Sequence, residues 1–243
     1  LRGRSIDGVA GPGHCYAIDA TIGDIYLRSG IHRPWIIGRP IVYMVVDVWS
    51  TAIVGFFVCL TGPSWDMAKL ALFSVACEPA LLARLWGFRF DLGLDPLPTL
   101  PFMVLTDRGE YVSQGARTTC ESLGLTFSVN PAYRPDLKGL VEVLHRIVKD
   151  QQFGFLPGAI NRRREEMELA AHPKESAMNL REYVEYLVSV VRFYNFTADR
   201  SDRMTAEMIA EEVKPFPADI WRYGHSAGIG YRKLIVQDRL KLD

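Results

Sequence analysis

Apolar positions along this chain fall into short alternating runs first and helical stripes later. Residues Cys15–Thr21 (CYAIDAT) alternate with a period of two, which predicts a strand with Ala17, Asp19 and Thr21 on one face and Tyr16, Ile18 and Ala20 on the other. Asp24–Leu27 extends or re-pairs that strand, and His32–Pro40, with Gly38 and two prolines, predicts a loop. Pro40–Trp49 and Ala52–Leu60 are β-rich apolar runs joined by Ser50-Thr51, the pattern of an antiparallel hairpin. Their near-continuous hydrophobicity predicts a sheet covered on both faces. Ser64 as N-cap and Asp66 in the first turn start a helix that runs to about Cys77. Leu85–Leu100, with Trp86, Phe88, Phe90, two glycines and two prolines, reads as an inserted loop or short hairpin with a small core of its own.

Phe102–Thr106 predicts the next strand, Ala116–Leu123 a helix stopped by Gly124, and Leu125–Val129 a short strand. A loop over Pro131–Leu137 leads into a helix over Lys138–Phe153. Three strands followed by alternating helices and strands predict an α/β unit, a mixed five-stranded sheet flanked by helices. After Gly154 the pattern is helical: Ile160–Ala171, Leu180–Asn195, Thr205–Val213 and a short helix within Pro215–Trp221. In Leu180–Asn195 the residues Leu180, Val184, Leu187, Val188 and Val191 form one apolar face. The expected organisation is an arm over 1–13, a core over 14–158 with an insertion at 84–100, a helical extension over 159–225 and the start of a truncated β unit over 226–243.

Composition narrows the class. Of the 243 residues 49% are hydrophobic, as in an ordinary globular protein, and the longest apolar run, Ala52–Leu60, is too short to span a membrane. The four cysteines form no CxxC pair and no zinc spacing with the five histidines, which predicts reduced thiols and a cytoplasmic protein. Net charge is zero, a mild argument against a nucleic-acid binder. The distribution alters that picture: residues 132–164 hold seven basic side chains against three acids, so a basic segment lies within an otherwise balanced chain.

Three acids in that setting carry candidate chemistry. Asp19 lies on the first strand, Asp107 follows an apolar run within LTDRGEY, and Glu142 lies on the helix-patterned KGLVEVLHRIVK. Each alone is equally well a turn or capping residue. Together, two strand-end aspartates and a helical glutamate are the hard oxygen ligands of a Mg²⁺ or Mn²⁺ pair acting on phosphodiesters. Glu142, His145, Arg146 and Lys149 share one helix face, which suits a metal site beneath a DNA backbone or, equally, a solvated charged face. Arg108 and Glu110 either orient the site or close the turn; Asp47 reads as structural, and Asp24 is a second acid easily mistaken for a catalytic one.

The segments GPGHCYAIDATIGDIYL, GRPIVYMVVDVWSTAIVGFFVCLTGPSW, LTDRGEY and NPAYRPDLKGLVEVLHR resemble the catalytic core of DDE transposases and retroviral-type integrases. Within that superfamily they are most similar to TnsB of the Tn-seven group of bacterial transposons, and more distantly to the phage Mu transposase. The resemblance runs from about Pro12 to Asn195. It implies an RNase H-like fold and a metal-binding catalytic triad of Asp19, Asp107 and Glu142 holding two Mg²⁺ (or Mn²⁺). It also implies nicking at transposon 3′ ends followed by joining of the 3′-OH to target DNA. Implied partners are transposon-end and target DNA, further copies of the chain on DNA, a TnsC-like ATPase and, in several systems, a TnsA-like nuclease. The implied setting is the bacterial cytoplasm, at the nucleoid when acting. Tyr133, Arg134 and Lys138 lie before the glutamate helix, where integrase-like enzymes hold the DNA end. Arg146 and Lys149, and Arg162, Arg163 and Arg164, are further candidates for phosphate contact. A nuclease that only hydrolyses, or a catalytically idle binding module, are the alternative expectations.

Overall fold

The structure, a computed structural model, describes residues 8–62, 64–106, 114–129 and 175–229. Five strands build the central sheet: β1 (Cys15–Ile22), β4 (Ile41–Asp47), β5 (Ile53–Cys59), β6 (Met103–Thr106) and β7 (Thr126–Val129), in the order β5-β4-β1-β6-β7. The β1–β4 and β4–β5 pairs are antiparallel, while β1–β6 and β6–β7 are parallel. This is the expected mixed sheet, and its centre is β1. The hairpin turn spans 47–52 rather than Ser50-Thr51 alone. Thr51 sits at φ 63, and its N–H donates to the Asp47 carbonyl at 2.8 Å.

Alternation sorts the strands' side chains onto two covered faces. Tyr16 and Ile18 of β1, with Tyr43 and Val45 of β4, pack under helix α1 (Trp65–Ala76), under helix α3 (Gln114–Ser122) and against Trp221. Val42, Met44 and Val46 point the other way, under helix α4 (Leu180–Thr197) through Tyr183, Leu187 and Val191. Ser64 caps α1 by accepting from Met67 N–H at 3.3 Å. The C-terminal part of the described chain adds short α5 (Ala206–Ala210) and α6 (Pro217–Ser226), whose Trp221 is fully buried.

Several local expectations are corrected. The loop expected over His32–Pro40 contains β3 (Ile36–Gly38), which pairs with β2 (Leu27–Arg28) in a small second sheet. A helix, α2 (Pro79–Trp86), precedes the irregular segment; Pro79 in its first turn and Gly87 in the left-handed region at φ 74 close it at both ends. Trp86, Phe88 and Phe90 do not form a core of their own. Phe90 stacks on Phe56 of β5 with centroids 5.3 Å apart, so this segment completes the α4-side core. The described end of the expected arm is docked rather than extended. Gly11, Pro12 and Gly13 are buried, and Gly13 N–H donates to the Asp47 carboxylate at 3.0 Å. Asp47 also accepts from Ser50 N–H at 2.7 Å and Ser50 O–H at 2.6 Å, which makes it the structural residue expected. No helix of the described residues is long and apolar enough to cross a membrane.

Candidate active site

The candidate site begins at the C-terminal end of β1. Asp19 pairs in register with Met44 of β4, and Met44 belongs to the α4-side core. Directly opposed residues of an antiparallel pair share a face, so Asp19 projects on the α4 side while Ile18 beside it is buried under α1. Asp19 is half-buried, and its Oδ1 accepts from Ala20 N–H at 2.8 Å. Its backbone is held on the β4 side through Ile22, three residues further on.

On the other flank of β1 lies β6. Its last residue, Thr106, pairs with Ile18. Thr106 immediately precedes Asp107, as Ile18 immediately precedes Asp19. Parallel strands in this register bring their C-terminal ends to the same edge of the sheet. The Thr106 Oγ1 is buried and has no hydrogen-bond partner among the described residues. A buried hydroxyl without a partner costs about 1–3 kcal/mol, and this one stands at the strand end next to the second candidate acid. Thr106 was not singled out in the sequence; its signal there was only its place as the polar residue closing the run PFMVLT.

Asp107 and Glu142 lie outside the described residues, as do Arg108, Glu110, Tyr133, Arg134, Lys138, Arg146, Lys149, Arg162, Arg163 and Arg164. Among the described residues no group of three or more His, Cys, Asp or Glu side chains converges as a metal site. Asp24, the other candidate acid nearby, is buried and ion-paired with Arg39, whose Nε also donates to the Gly23 carbonyl at 3.0 Å. It braces the connection leaving β1 and is spent on that task. Burial pushes the Cys15 thiol up to about 12, with the Asp47 charge adding to it, and raises Cys120 to about 11, which disfavours the reactive thiolate at both.

Comparison with known proteins fits this geometry. A sequence profile of the TnsB C-terminal domain matches residues 17–158. The transposition protein TnsB of transposon Tn7 from Escherichia coli is 28% identical over 239 residues, covering 96% of this chain and 33% of that protein. The chain thus spans about a third of the length of the curated relative it matches. A chain in the cryo-EM structure of the simian T-cell lymphotropic virus intasome, in complex with PP2A regulatory subunit B56 gamma, superposes with a TM-score of 0.51 at 16% identity, over 97% of this chain and 61% of that one. The HTLV-2 integrase catalytic core domain in complex with magnesium, in its dimeric form, gives 0.44 at 17% identity, over 79% and 92%. The intasome likeness is one of fold, and the five-stranded order with its parallel and antiparallel halves is RNase H-like. With more than half its length matched by one profile, the chain belongs to the TnsB C-terminal domain family.

Proposed function

We propose that this chain is the catalytic core of a DDE-type DNA transposase, which nicks transposon 3′ ends and joins the freed 3′-OH to target DNA. The observation that carries the reading is the register of β1 against β6: Ile18 pairs with Thr106, so Asp19 and Asp107 are each the next residue along from a paired position at one sheet edge. Glu142 completes the triad from the following helical sequence. The donor chemistry suits Mg²⁺ or Mn²⁺, since three carboxylates offer hard, anionic oxygens and none of the three positions offers sulfur or imidazole. When bound, a pair of such cations supplies charge stabilisation to the attacking and leaving oxygens of an in-line displacement.

The chain's own residues have separable roles. Asp19 presents its carboxylate from a strand that cannot shift without breaking both neighbours' pairing. Arg134, Lys138, Arg146, Lys149 and Arg162–Arg164 supply basic side chains for the DNA backbone, and Tyr133 a hydroxyl donor. Further copies of the chain, a TnsC-like ATPase and a TnsA-like nuclease complete the proposed assembly, in the bacterial cytoplasm.

The test is a joining assay with the full-length protein, precut transposon ends, a target plasmid and Mg²⁺. Asp19→Asn and Asp107→Asn should each lower joined product by about a hundredfold to a thousandfold, the scale on which loss of one electrostatic catalytic group is felt, while end binding stays within a fewfold. Retained joining by either variant sinks the triad. Precut ends that are never joined, with uncut ends still nicked in a parallel reaction, favour a nuclease.

A further inference from the structure

Helix α6 ends in a cap that is built from two distant parts of the chain. Gly228 sits in the left-handed region at φ 69. Its N–H donates to the His225 carbonyl at 3.0 Å, and the Ile229 N–H reaches back to the Gly224 carbonyl at 3.0 Å. In such a cap the residue after the left-handed glycine often packs on the helix residue whose carbonyl it reaches. Here that residue is Gly224, which has no side chain to offer, and the arm takes its place. A Cβ at Gly224 would stand 2.5 Å from Pro12 Cδ and 2.6 Å from Trp49 Cζ3. One at Gly11 would overlap the Ile229 side chain and stand 2.5 Å from its carbonyl oxygen. Glycine inside a helix is unfavourable relative to alanine, so its use at 224 marks a close approach that the fold requires.

On its other side the arm is fastened to the hairpin. Gly13 N–H donates to the buried Asp47 carboxylate at 3.0 Å, His14 N–H to the Gly11 carbonyl at 3.2 Å, and Ala10 N–H to His14 Nδ1 at 3.2 Å. Trp49, two residues beyond Asp47, brings its ring against Gly224. Helix α6 is itself seated by the fully buried Trp221, whose Nε1 donates to the Pro96 carbonyl at 2.8 Å. The arm, the 47–52 turn and the end of α6 thus close on one another at the N-terminal end of β1, the end away from Asp19.

We propose that this three-part clasp couples the stretch entering the core through the arm to the stretch leaving it after Ile229, so that displacing either flank loosens the other. The coupling runs through the shared cap. With the arm withdrawn, Ile229 loses the backbone it packs on and Gly224 is laid open to water. With the cap unwound, Gly11 and Pro12 lose the surface that buries them. A coupling free energy acts equally in both directions, which separates a clasp from two segments that merely touch. Its working does not require the chain to be a transposase.

The test is hydrogen exchange of the full-length protein, read by mass spectrometry, with one perturbation on each side of the clasp. Gly228→Ala strains the cap alone, since the residue is at φ 69 and a Cβ there meets nothing within 4 Å. Asp47→Ala releases the arm, and the hydrogen bonds it removes go to Gly13 and Ser50, outside α6. Gly228→Ala should quicken exchange over Val9–Cys15, and Asp47→Ala over His225–Ile229. Each should rise about fivefold relative to α1, the scale of one net hydrogen bond. A change confined to the substituted side in both variants overturns the inference, and so does coupling seen in one direction only. Should Asp47→Ala fail to fold, Gly228→Ala decides by itself: unchanged exchange over Val9–Cys15 overturns the inference, and the fivefold rise sustains it.

Discussion

Asn195 offers the sharpest check on how the two ends of the core are tied. It is fully buried near the end of α4. Its Oδ1 accepts from Ile53 N–H at 3.0 Å, and its Nδ2 donates to the carbonyls of Ile53 (3.1 Å) and Leu92 (2.9 Å). Ile53 opens β5, the edge strand of the sheet, so the amide substitutes for one residue of a further strand and closes the edge. Asn195→Ala leaves three backbone groups without partners. At about 1 kcal/mol for each net bond the loss is about 3 kcal/mol, rising toward about 5 if water does not reach the orphaned groups. For a domain of this size that is a fall in Tm of about 6–12 °C. Asn195→Asp should be no better, because it loses both donors and sets an anion against two carbonyls. Urea and thermal unfolding followed by tryptophan fluorescence give both numbers. A loss below about 1 kcal/mol for Asn195→Ala, or an aspartate tolerated like the native residue, refutes this account of the edge.

Two further perturbations test the interior. Asp47 is raised from 3.8 to about 6 by its burial, against the hydrogen bonds from Ser50 and Gly13. A raised carboxyl pKa means the folded state takes up the proton first, so Asp47 favours folding most below pH ~4 and loses that advantage as pH rises to ~6. The stability of wild type relative to Asp47→Asn should therefore improve by about 2–3 kcal/mol from pH 7 to pH 4; a difference that stays constant across that range contradicts it. Gly55 of β5 lies directly under α1, where an added Cβ would stand 2.4 Å from Val75 Cγ2 and 2.8 Å from Ser74 Oγ. Gly55→Ala should cost about 1–3 kcal/mol, and Val75→Ala in the same chain should recover part of it. A neutral single substitution, or strict additivity of the pair, would show that the strand and helix are less closely packed than this.

What could be read in the chain divides by how local its cause is. The period of two in CYAIDAT correctly separated Ile18 from Asp19, because a strand's alternation depends on nothing beyond the strand. The hairpin was legible for the same reason, and Ser64 as the cap of α1 needed only its own turn. The pair β2–β3 was not legible: two short segments are held in place by Arg28 and Arg33 reaching carbonyls and a carboxylate at 176–182, about 150 positions away. The aromatic run Trp86–Phe90 misled for a related reason. Its residues look self-sufficient in sequence, yet they pack on β5 and α4, and Asn195 rather than any neighbour fastens Leu92. Helix α2 did carry local signals, Pro79 and Gly87, but it is short and sits where glycines and prolines dominate. Of the candidate site, pattern alone placed Asp19 on the first strand; that this strand is the central one follows from its pairing with β4 and β6.

The pairing on the two sides of β1 suits Asp19 to the part of first ligand in the proposed site. Pairing to β4 runs the full length of the strand to Ile22–Ile41, so the backbone on either side of Asp19 is fixed. Toward β6 the last described pair is Ile18–Thr106, one residue short of the carboxylate. A cation site needs a support that does not give, and the pairing to β4 supplies one at Asp19. A carboxylate one pair further back, at the level of Ala17, would be walled in on both sides by strands and would pay the desolvation cost of a buried charge. One placed beyond Ile22 would have no strand to hold it. Asp19, three residues before the end of β1, is therefore where this sheet can hold a charged side chain and still control where it points.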